Sequence, residues 1–329
     1  MSEKELVWTE NLKRYFLVRG GVLSRLSRGQ SFARAVDGID LRVSKGDVLA
    51  LVGESGCGKT TTGKLLSLLE TPTEGSIFFE GKDLTKLKGP MLRTFRREAQ
   101  MIFQDPYESL DPRFTVFKIV SEPLTVHGMK STNERKELVS DMLARVGLNP
   151  PTEFLGRFPH ELSGGQRQRV AVARAMILHP KFIVADEPVS MLDVSIRASV
   201  LNMMLRFKSE LDVTYLFITH DLAVARYVSN KLAVMYLGKI VETGPTEEVV
   251  ANPRHPYTRL LMSAVPIPDP SARRTRVRTV SEVPNPTHIP SGCRFHPRCK
   301  YAWNLCGEES PELELREGRS VACHMITSA

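Results

Sequence analysis

Gly53-Glu54-Ser55-Gly56-Cys57-Gly58-Lys59-Thr60 constrains this chain more than any other stretch. It fits G-x-x-x-x-G-K-[ST], and its flanks suit it: Val48-Leu49-Ala50-Leu51-Val52 reads as a buried strand, and Thr61 to Leu69 as a helix. Glycines at a strand-to-helix turn let successive backbone N–H groups point inward, and the helix N-terminus adds partial positive charge. Together they form a cradle for phosphate oxygens. In it, Gly53, Ser55, Gly56, Cys57, Gly58 and Thr61 line the anion, Lys59 reaches the β- and γ-phosphates, and the Thr60 hydroxyl ligates magnesium. A chance glycine turn is the plain alternative, and the flanking strand and helix speak against it.

The chain has 329 residues, enough for two domains or one large domain with an appendage. Hydrophobic content of 42% and charged content of 25% fit a globular protein, and no apolar run approaches a bilayer span. Met1-Ser2-Glu3-Lys4-Glu5 has no signal-peptide pattern, so the expectation is a cytosolic chain that meets a membrane only through a partner. The net charge of +8 allows nucleic acid or an anionic membrane as partner. However, the densest basic groups (Arg93, Arg96, Arg97 and Arg273, Arg274, Arg276, Arg278) are not interleaved with aromatics that would stack bases. Solvated cations on a nucleotide-binding protein are the preferred reading. Of five cysteines, Cys57 sits in the glycine loop and four crowd the chain's end, which in a reducing compartment favours metal over disulfides.

Upstream of the loop, residues 5–18 read as a strand ending in aromatics and residues 19–34 as a Gly-, Ser- and Arg-rich loop. Ile39, Leu41 and Val43 read as one half-buried strand. Tyr15 or Phe16, with Phe16 preferred, can offer a purine ring a flat apolar face; both can equally be core aromatics. Downstream, residues 75–80 read as a strand and Gly81-Lys82-Asp83 as the turn leaving it. A basic helical stretch then leads to a β-prone run from Ala99 that ends at Gln104. That amide can touch both a metal and its water, although a strand-end Gln is ordinarily a polar cap. Residues 116–158 read as a helical insertion in three pieces: Val116–His127, Asn133–Val146 and Thr152–Phe158.

Leu162-Ser163-Gly164-Gly165-Gln166 then opens an Ala-rich helix. Ser163 is a natural N-cap, and the two glycines leave N–H groups open for a second anion site. A plain capped helix is the simpler reading, but each Gly costs about 1 kcal/mol relative to Ala. Phe182 to Ala185 reads as a buried strand with Asp186 and Glu187 at its C-terminal end, the edge where open α/β sheets bind ligands. Neighbouring strand residues face opposite ways, so Asp186 is assigned to magnesium and Glu187 to an attacking water. Ser190 to Asp193 reads as a tight loop and Ser195 to Leu211 as a helix. Thr214 to Thr219 reads as a strand ending in His220, a donor to a γ-phosphate. Residues 231–242 read as a hairpin through Gly238, and Thr246 to Ala251 as a closing helix.

In this order, the glycine loop, Gln104, Leu162 to Gln166, Asp186-Glu187, Ser190 to Asp193 and His220 resemble the motifs of ABC-type ATP-binding subunits. They correspond to that family's Walker A, Q-loop, signature, Walker B, D-loop and H-loop, over about residues 5–255. Met191 stands where the D-loop commonly has Ala. The resemblance implies an α/β fold, the ABC-type P-loop NTPase, over residues 1–252. Its parts are a RecA-like core, an antiparallel β subdomain and a helical subdomain at about 106–178. It implies ATP and Mg2+ as cofactors, with Thr60, Gln104 and Asp186 around the metal and Glu187, His220 and Gln104 as the catalytic set. It also implies a sandwich: Phe16 and the loop of one protomer hold ATP, and Ser163, Gly164, Gly165 and Gln166 of a partner cap the γ-phosphate. The anion site at Ser163 has no base or ribose site of its own, which agrees.

Asn252-Pro253-Arg254-His255-Pro256-Tyr257 looks like the His-Pro-Tyr extension of dipeptide/oligopeptide importer ATP-binding subunits, a family that also moves nickel or oligosaccharides. Residues 253–329 then form a small Cys-rich C-terminal extension, with residues 265–290 as a Pro-, Arg- and Ser-rich linker. Cys293, Cys299, Cys306 and Cys323 are spaced C-x5-C-x6-C-x16-C, without the close pairs of most zinc sites. Four thiolates suit an iron–sulfur cluster equally well. The resemblance implies a [4Fe-4S] cluster there, with zinc or free structural thiols as alternatives. It further implies two transmembrane permease subunits, one of whose cytoplasmic helices seats near Tyr107 to Phe117. A second ABC ATPase subunit, a sister (heterodimer) more often than a copy (homodimer), and an extracytoplasmic substrate-binding protein complete the set. The place of work is the cytoplasmic face of the cell membrane, peripherally and without nucleic acid. The competing reading is a soluble ABC ATPase acting on nucleic acid or ribosomes. The single phosphate loop and the lack of heptads oppose it.

Overall fold

The computed structural model describes residues 5–18, 31–105, 109–264, 287 and 289–327. In chain order the strands are β1 (Glu5–Val18), β2 (Ser31–Ile39), β3 (Arg42–Ser44), β4 (Val48–Val52), β5 (Glu74–Phe79), β6 (Lys82–Asp83) and β7 (Ala99–Ile102). There follow β8 (Phe182–Asp186), β9 (Thr214–Thr219), β10 (Lys231–Tyr236), β11 (Lys239–Pro245), β12 (Glu314–Arg316) and β13 (Arg319–Val321). The chain forms two compact units. One is built on Ser44–Gly46 and Lys86–Phe217, the other on Lys4–Val43, Asp47–Thr85 and Ile218–Ala329.

In the second of these units, β1 lies antiparallel between β2 and β5, with β3 also on β1 and β6 beyond β5. Leu12, Val36, Ile39 and Ile77 are buried there. β4 runs parallel to β10, which pairs antiparallel with β11. All five residues of β4 are buried, so its apolar run is continuous rather than alternating, as in a strand covered on both faces. The last strands of the chain extend this layer: β13 pairs with β11, Glu242 opposite Val321, and β12 pairs with β13.

In the other unit, β7 runs parallel to β8, with Ala99 opposite Phe182 and Ile102 opposite Ala185. Helices Val116–Val126, Thr132–Arg145 and Gly164–Met176 begin at Thr115, Ser131 and Ser163, whose hydroxyls accept from the N–H groups of Lys118, Glu134 and Gln166. Among the described residues, no helix is long and apolar enough to cross a membrane.

Several expected boundaries shift. Ile39, Leu41 and Val43 are all buried, but they do not form one strand: Ile39 ends β2, Val43 lies in β3, and Leu41 falls in the break between them. β2 opens at Ser31, inside the stretch read as loop, and residues 19–30 lie outside the described residues. The helix after the glycine loop starts at Lys59 and stops at Leu66, with Leu68 at a left-handed φ of 51° just beyond. Lys82–Asp83 is not a turn but a short strand on β5; the turn is Glu80-Gly81. The third helical piece shrinks to a 3-10 turn, Pro151–Glu153. Thr246–Ala251 does not close the fold, because β12 and β13 build onto β11.

Candidate active site

The glycine loop hangs between β4 and helix Lys59–Leu66. Gly53, Gly56 and Gly58 take φ values of 156°, 76° and 110°, open to glycine at little cost. Lys59 is 6% exposed, and its Nζ donates to the carbonyls of Gly53 at 2.8 Å and Glu54 at 3.0 Å. Neutral carbonyls are weaker partners than charged phosphate oxygens, so an entering triphosphate competes well for that ammonium. Ser55, Gly56 and Thr60 are exposed and Thr61 is half-buried, while Cys57 is buried, which pushes its thiol pKa up and leaves it unreactive.

Tyr15 and Phe16 part company. The Tyr15 hydroxyl donates to Asp37, and burial together with that carboxylate pushes its pKa up to about 12. Burial alone would raise Asp37, but Tyr15 and the cation of Arg294 hold it below its ordinary value. Tyr15 is thus tied into the framework. Phe16, 36% exposed and with Arg14 at 4.6 Å from its ring centroid, keeps part of its aromatic surface accessible. His220 follows β9 and is exposed.

In the unit of Lys86–Phe217, Gln104 Nε2 donates to Glu187 Oε2 at 2.9 Å. Sequence reasoning assigned these residues separate duties; here they form one hydrogen-bonded pair. Asp186 ends β8 at 3% exposure. Glu187 has a left-handed φ of 45°, and its carbonyl accepts from the Ser190 N–H at 3.2 Å and hydroxyl at 3.0 Å. The chain therefore turns at Glu187. Simple strand alternation, the reason given for separating the two carboxylates, ends at Asp186.

At the signature, Ser163 and Gln166 form a capping box. The Ser163 hydroxyl accepts from the Gln166 N–H at 3.3 Å, and the Ser163 N–H donates to Gln166 Oε1 at 2.9 Å. The Gln166 carbonyl oxygen is spent on this cap. Gly165 is buried, and a Cβ there would meet Ile196 Cγ2 at 2.6 Å, so its small size serves the packing of helix Gly164–Met176 on helix Val194–Leu211. Ser163 is exposed and Gly164 half-exposed.

Within β11, the buried Glu242 accepts from the N–H groups of Arg254 at 3.0 Å and His255 at 2.9 Å. His255 Nδ1 accepts from the Tyr257 N–H at 3.0 Å, and burial pushes its pKa down to about 3, so the ring is neutral at pH 7. Cys306 is buried; Cys293, Cys299 and Cys323 are half-buried. The Cys293 N–H donates to the Cys306 carbonyl at 2.8 Å. Burial pushes the Cys293 thiol up to about 11, and the neighbouring cysteines push it the same way. Among the described residues, no group of three or more His, Cys, Asp or Glu is disposed to hold a metal ion. In kind, cysteine thiolates are donors that soft metal groups take. Sequence reasoning missed the Asp37–Arg294 pair, because no spacing signal links residues 257 apart.

A glycine loop between a buried strand and a helix N-terminus marks a P-loop nucleoside triphosphatase. The profile "ABC transporter" matches residues 36–190, and "Oligopeptide/dipeptide transporter, C-terminal region" matches residues 241–306. The oligopeptide transport ATP-binding protein AppF of Bacillus subtilis is 46% identical over 99% of both chains. The dipeptide transport ATP-binding protein DppF of Haemophilus influenzae is 43% identical over 96% of this chain and 95% of its own. Among solved structures, the dimeric ATP-binding cassette MJ0796, in a post-hydrolysis state bound to ADP and Pi, superposes with a TM-score of 0.63 at 26% identity. The match covers 73% of this chain and 99% of that one. The chain belongs to the ATP-binding subunits of ABC transporters and is a transporter ATPase. The nucleic-acid reading finds no support among these relatives.

Proposed function

We propose that this chain is the ATP-hydrolysing subunit of an importer of short peptides. The observation that carries the proposal is that one chain matches both the ABC transporter profile and the C-terminal region of oligopeptide/dipeptide transporters. Residues 1–252 serve as the nucleotide-binding domain and 253–329 as its extension. Lys59 and the loop N–H groups would take the triphosphate, Thr60, Gln104 and Asp186 are each assigned to Mg2+, Phe16 to the base, and His220 to the γ-phosphate. Ser163 and Gly164 cap the nucleotide of a second ATPase subunit, a sister chain. Two permeases span the membrane, and an extracytoplasmic binding protein delivers the cargo. A groove of about 470 Å3, lined by Leu110, Phe114, Ile119, Glu122 and Arg174, supports a seat for a permease helix; Tyr107, also expected there, lies outside the described residues. The chain then works at the cytoplasmic face of the membrane.

The affinity-tagged chain, purified from detergent-solubilised membranes, is expected to bring two permeases and a sister ATPase, and deletion of its gene is expected to abolish uptake of labelled di- and oligopeptides. Undiminished peptide uptake in the deletion strain would refute the cargo assignment.

Cys293, Cys299, Cys306 and Cys323 are proposed to hold a [4Fe-4S] cluster that pins the extension. Such a cluster would supply structural cross-linking, which suits a segment with little core of its own. Anaerobically purified protein is expected to carry about four irons per chain with visible absorbance. Stoichiometric zinc without iron would replace the cluster with the alternative ion, and neither metal would leave free structural thiols.

A further inference from the structure

We propose that Arg298 and Tyr257 are positioning residues for ATP: from the C-terminal extension they hold the phosphate loop in its binding shape by gripping one loop residue, Glu54. The proposal rests on the reading of residues 53–60 as the triphosphate cradle.

Glu54 has three polar handles, and each is taken. Its N–H donates to the Tyr257 hydroxyl at 2.8 Å. Its carbonyl accepts from Lys59 Nζ at 3.0 Å and from the Cys57 N–H at 3.3 Å. Its carboxylate accepts two bonds from Arg298, Nη1 to Oε2 at 2.7 Å and Nη2 to Oε1 at 2.9 Å. Only the carbonyl is held from within the loop. The other two anchors come from 203 and 244 residues further along the chain. Both anchors lie inside the stretch matching the transporter C-terminal region, residues 241–306, and outside the stretch matching the cassette, residues 36–190.

These struts are stiff. The Arg298 side chain is 6% exposed, and its guanidinium lies 5.7 Å from the ring centroids of both Tyr236 and Phe295. Two donors on two carboxylate oxygens fix orientation as well as distance. The ring of the fully buried Tyr257 packs 4.5 Å from Tyr236 and 5.4 Å from Phe295, centroid to centroid, so its hydroxyl has little freedom to swing. Lys59 is a different kind of strut, because its ammonium is the group that serves the entering phosphates. Once it turns to them, Tyr257 and Arg298 keep Glu54 in place. A cradle of converging N–H groups binds well only when it is organised beforehand, and releasing its second residue adds an ordering cost to every binding event.

The linkage also reaches the cysteines. Arg298 directly precedes Cys299, and Arg294 directly follows Cys293. Arg294 donates to Asp37 and to the Leu237 carbonyl, and the 3-10 turn His296–Arg298 joins the two arginines. Displacing the segment from Cys293 to Cys299 therefore pulls both arginines from their partners. The extension acts as a control arm on nucleotide affinity.

The test is titration of the full-length chain with a fluorescent ATP analogue and Mg2+, with melting temperature followed in parallel. Arg298→Ala and Glu54→Gln are each expected to weaken binding about tenfold, and the double variant no more than either alone, because both remove the same interaction. Arg298→Lys keeps the charge but loses the fork, and should fall between the parent and Arg298→Ala. In the assembled transporter, KM for ATP rises while kcat stays within about twofold. A folded Arg298→Ala chain that binds within about twofold of the parent, or additive losses in the double variant, overturns the proposal. Glu54→Gln carries the same test if Arg298→Ala does not fold. A parent chain that binds no ATP sinks instead the reading of residues 53–60.

Discussion

Glu187→Gln is expected to slow ATP turnover about 10²- to 10⁴-fold while leaving ATP affinity within about twofold. The substitution is isosteric. Its amide can still present an oxygen to Gln104 Nε2, so the 2.9 Å pair survives in kind. What disappears is a carboxylate able to take a proton from the attacking water. The backbone here is also committed: a non-glycine residue at φ 45° costs roughly 1–3 kcal/mol and persists only where its surroundings enforce it. The two bonds from Ser190 to the Glu187 carbonyl supply that enforcement, and they do not depend on the side chain. Single-turnover hydrolysis and equilibrium ATP binding, measured on the assembled transporter, separate the possible roles. A variant that loses ATP–Mg2+ affinity and turnover in equal measure would mark Glu187 as a metal ligand. One that hydrolyses at the normal rate would remove it from the chemistry.

The parts of this site that were legible in the sequence obey local rules. Gly53 to Thr60 announced itself because a glycine turn between an apolar run and a helix leaves few other uses for those residues. Ser163 announced itself because a hydroxyl before a helix has a fixed job, and the structure adds only that Gln166 returns the bond. What could not be read was set by packing between distant residues. Glu54 occupies a variable position of its motif, and nothing near it in sequence hints at Arg298. Gly165, an anion-site candidate by its place in the motif, also meets a packing demand: a Cβ there would stand 2.6 Å from Ile196, a neighbour visible only once two helices are packed. Thr246–Ala251 looked like an ending because local patterning cannot say that Arg319–Val321 will pair with β11. The boundary errors have the same origin. Ile39, Leu41 and Val43 alternate as one strand would, but β2 and β3 both pair with β1 and the chain breaks between them.

Gly58→Ala is expected to weaken ATP binding more than about a hundredfold, some 3 kcal/mol at about 1.4 kcal/mol per decade, and to lower the melting temperature. Two costs combine at this position. The first is conformational: φ is 110°, where a Cβ is strained whatever the space around it. The second is contact, since that Cβ would stand 2.0 Å from the Ala35 carbonyl oxygen and 2.7 Å from Met235 Cε. The methionine tip can move away. The carbonyl cannot do so cheaply, because Ala35 lies inside β2, whose neighbours Arg34 and Val36 are paired with Tyr15 and Arg14 of β1. Nor can the helix retreat freely, since the Gly58 carbonyl accepts both the Thr62 N–H at 2.9 Å and the Thr62 hydroxyl at 3.0 Å. The strain must therefore open the loop itself and disperse the N–H groups that converge on phosphate. Gly81→Ala separates the two costs: it has φ 82° in the turn before β6, and a Cβ added there would meet nothing within 4 Å, so it bears the conformational penalty alone and should leave ATP affinity unchanged. If Gly58→Ala proves no worse than Gly81→Ala in both melting temperature and ATP affinity, the clash with β2 is not what shapes the cradle.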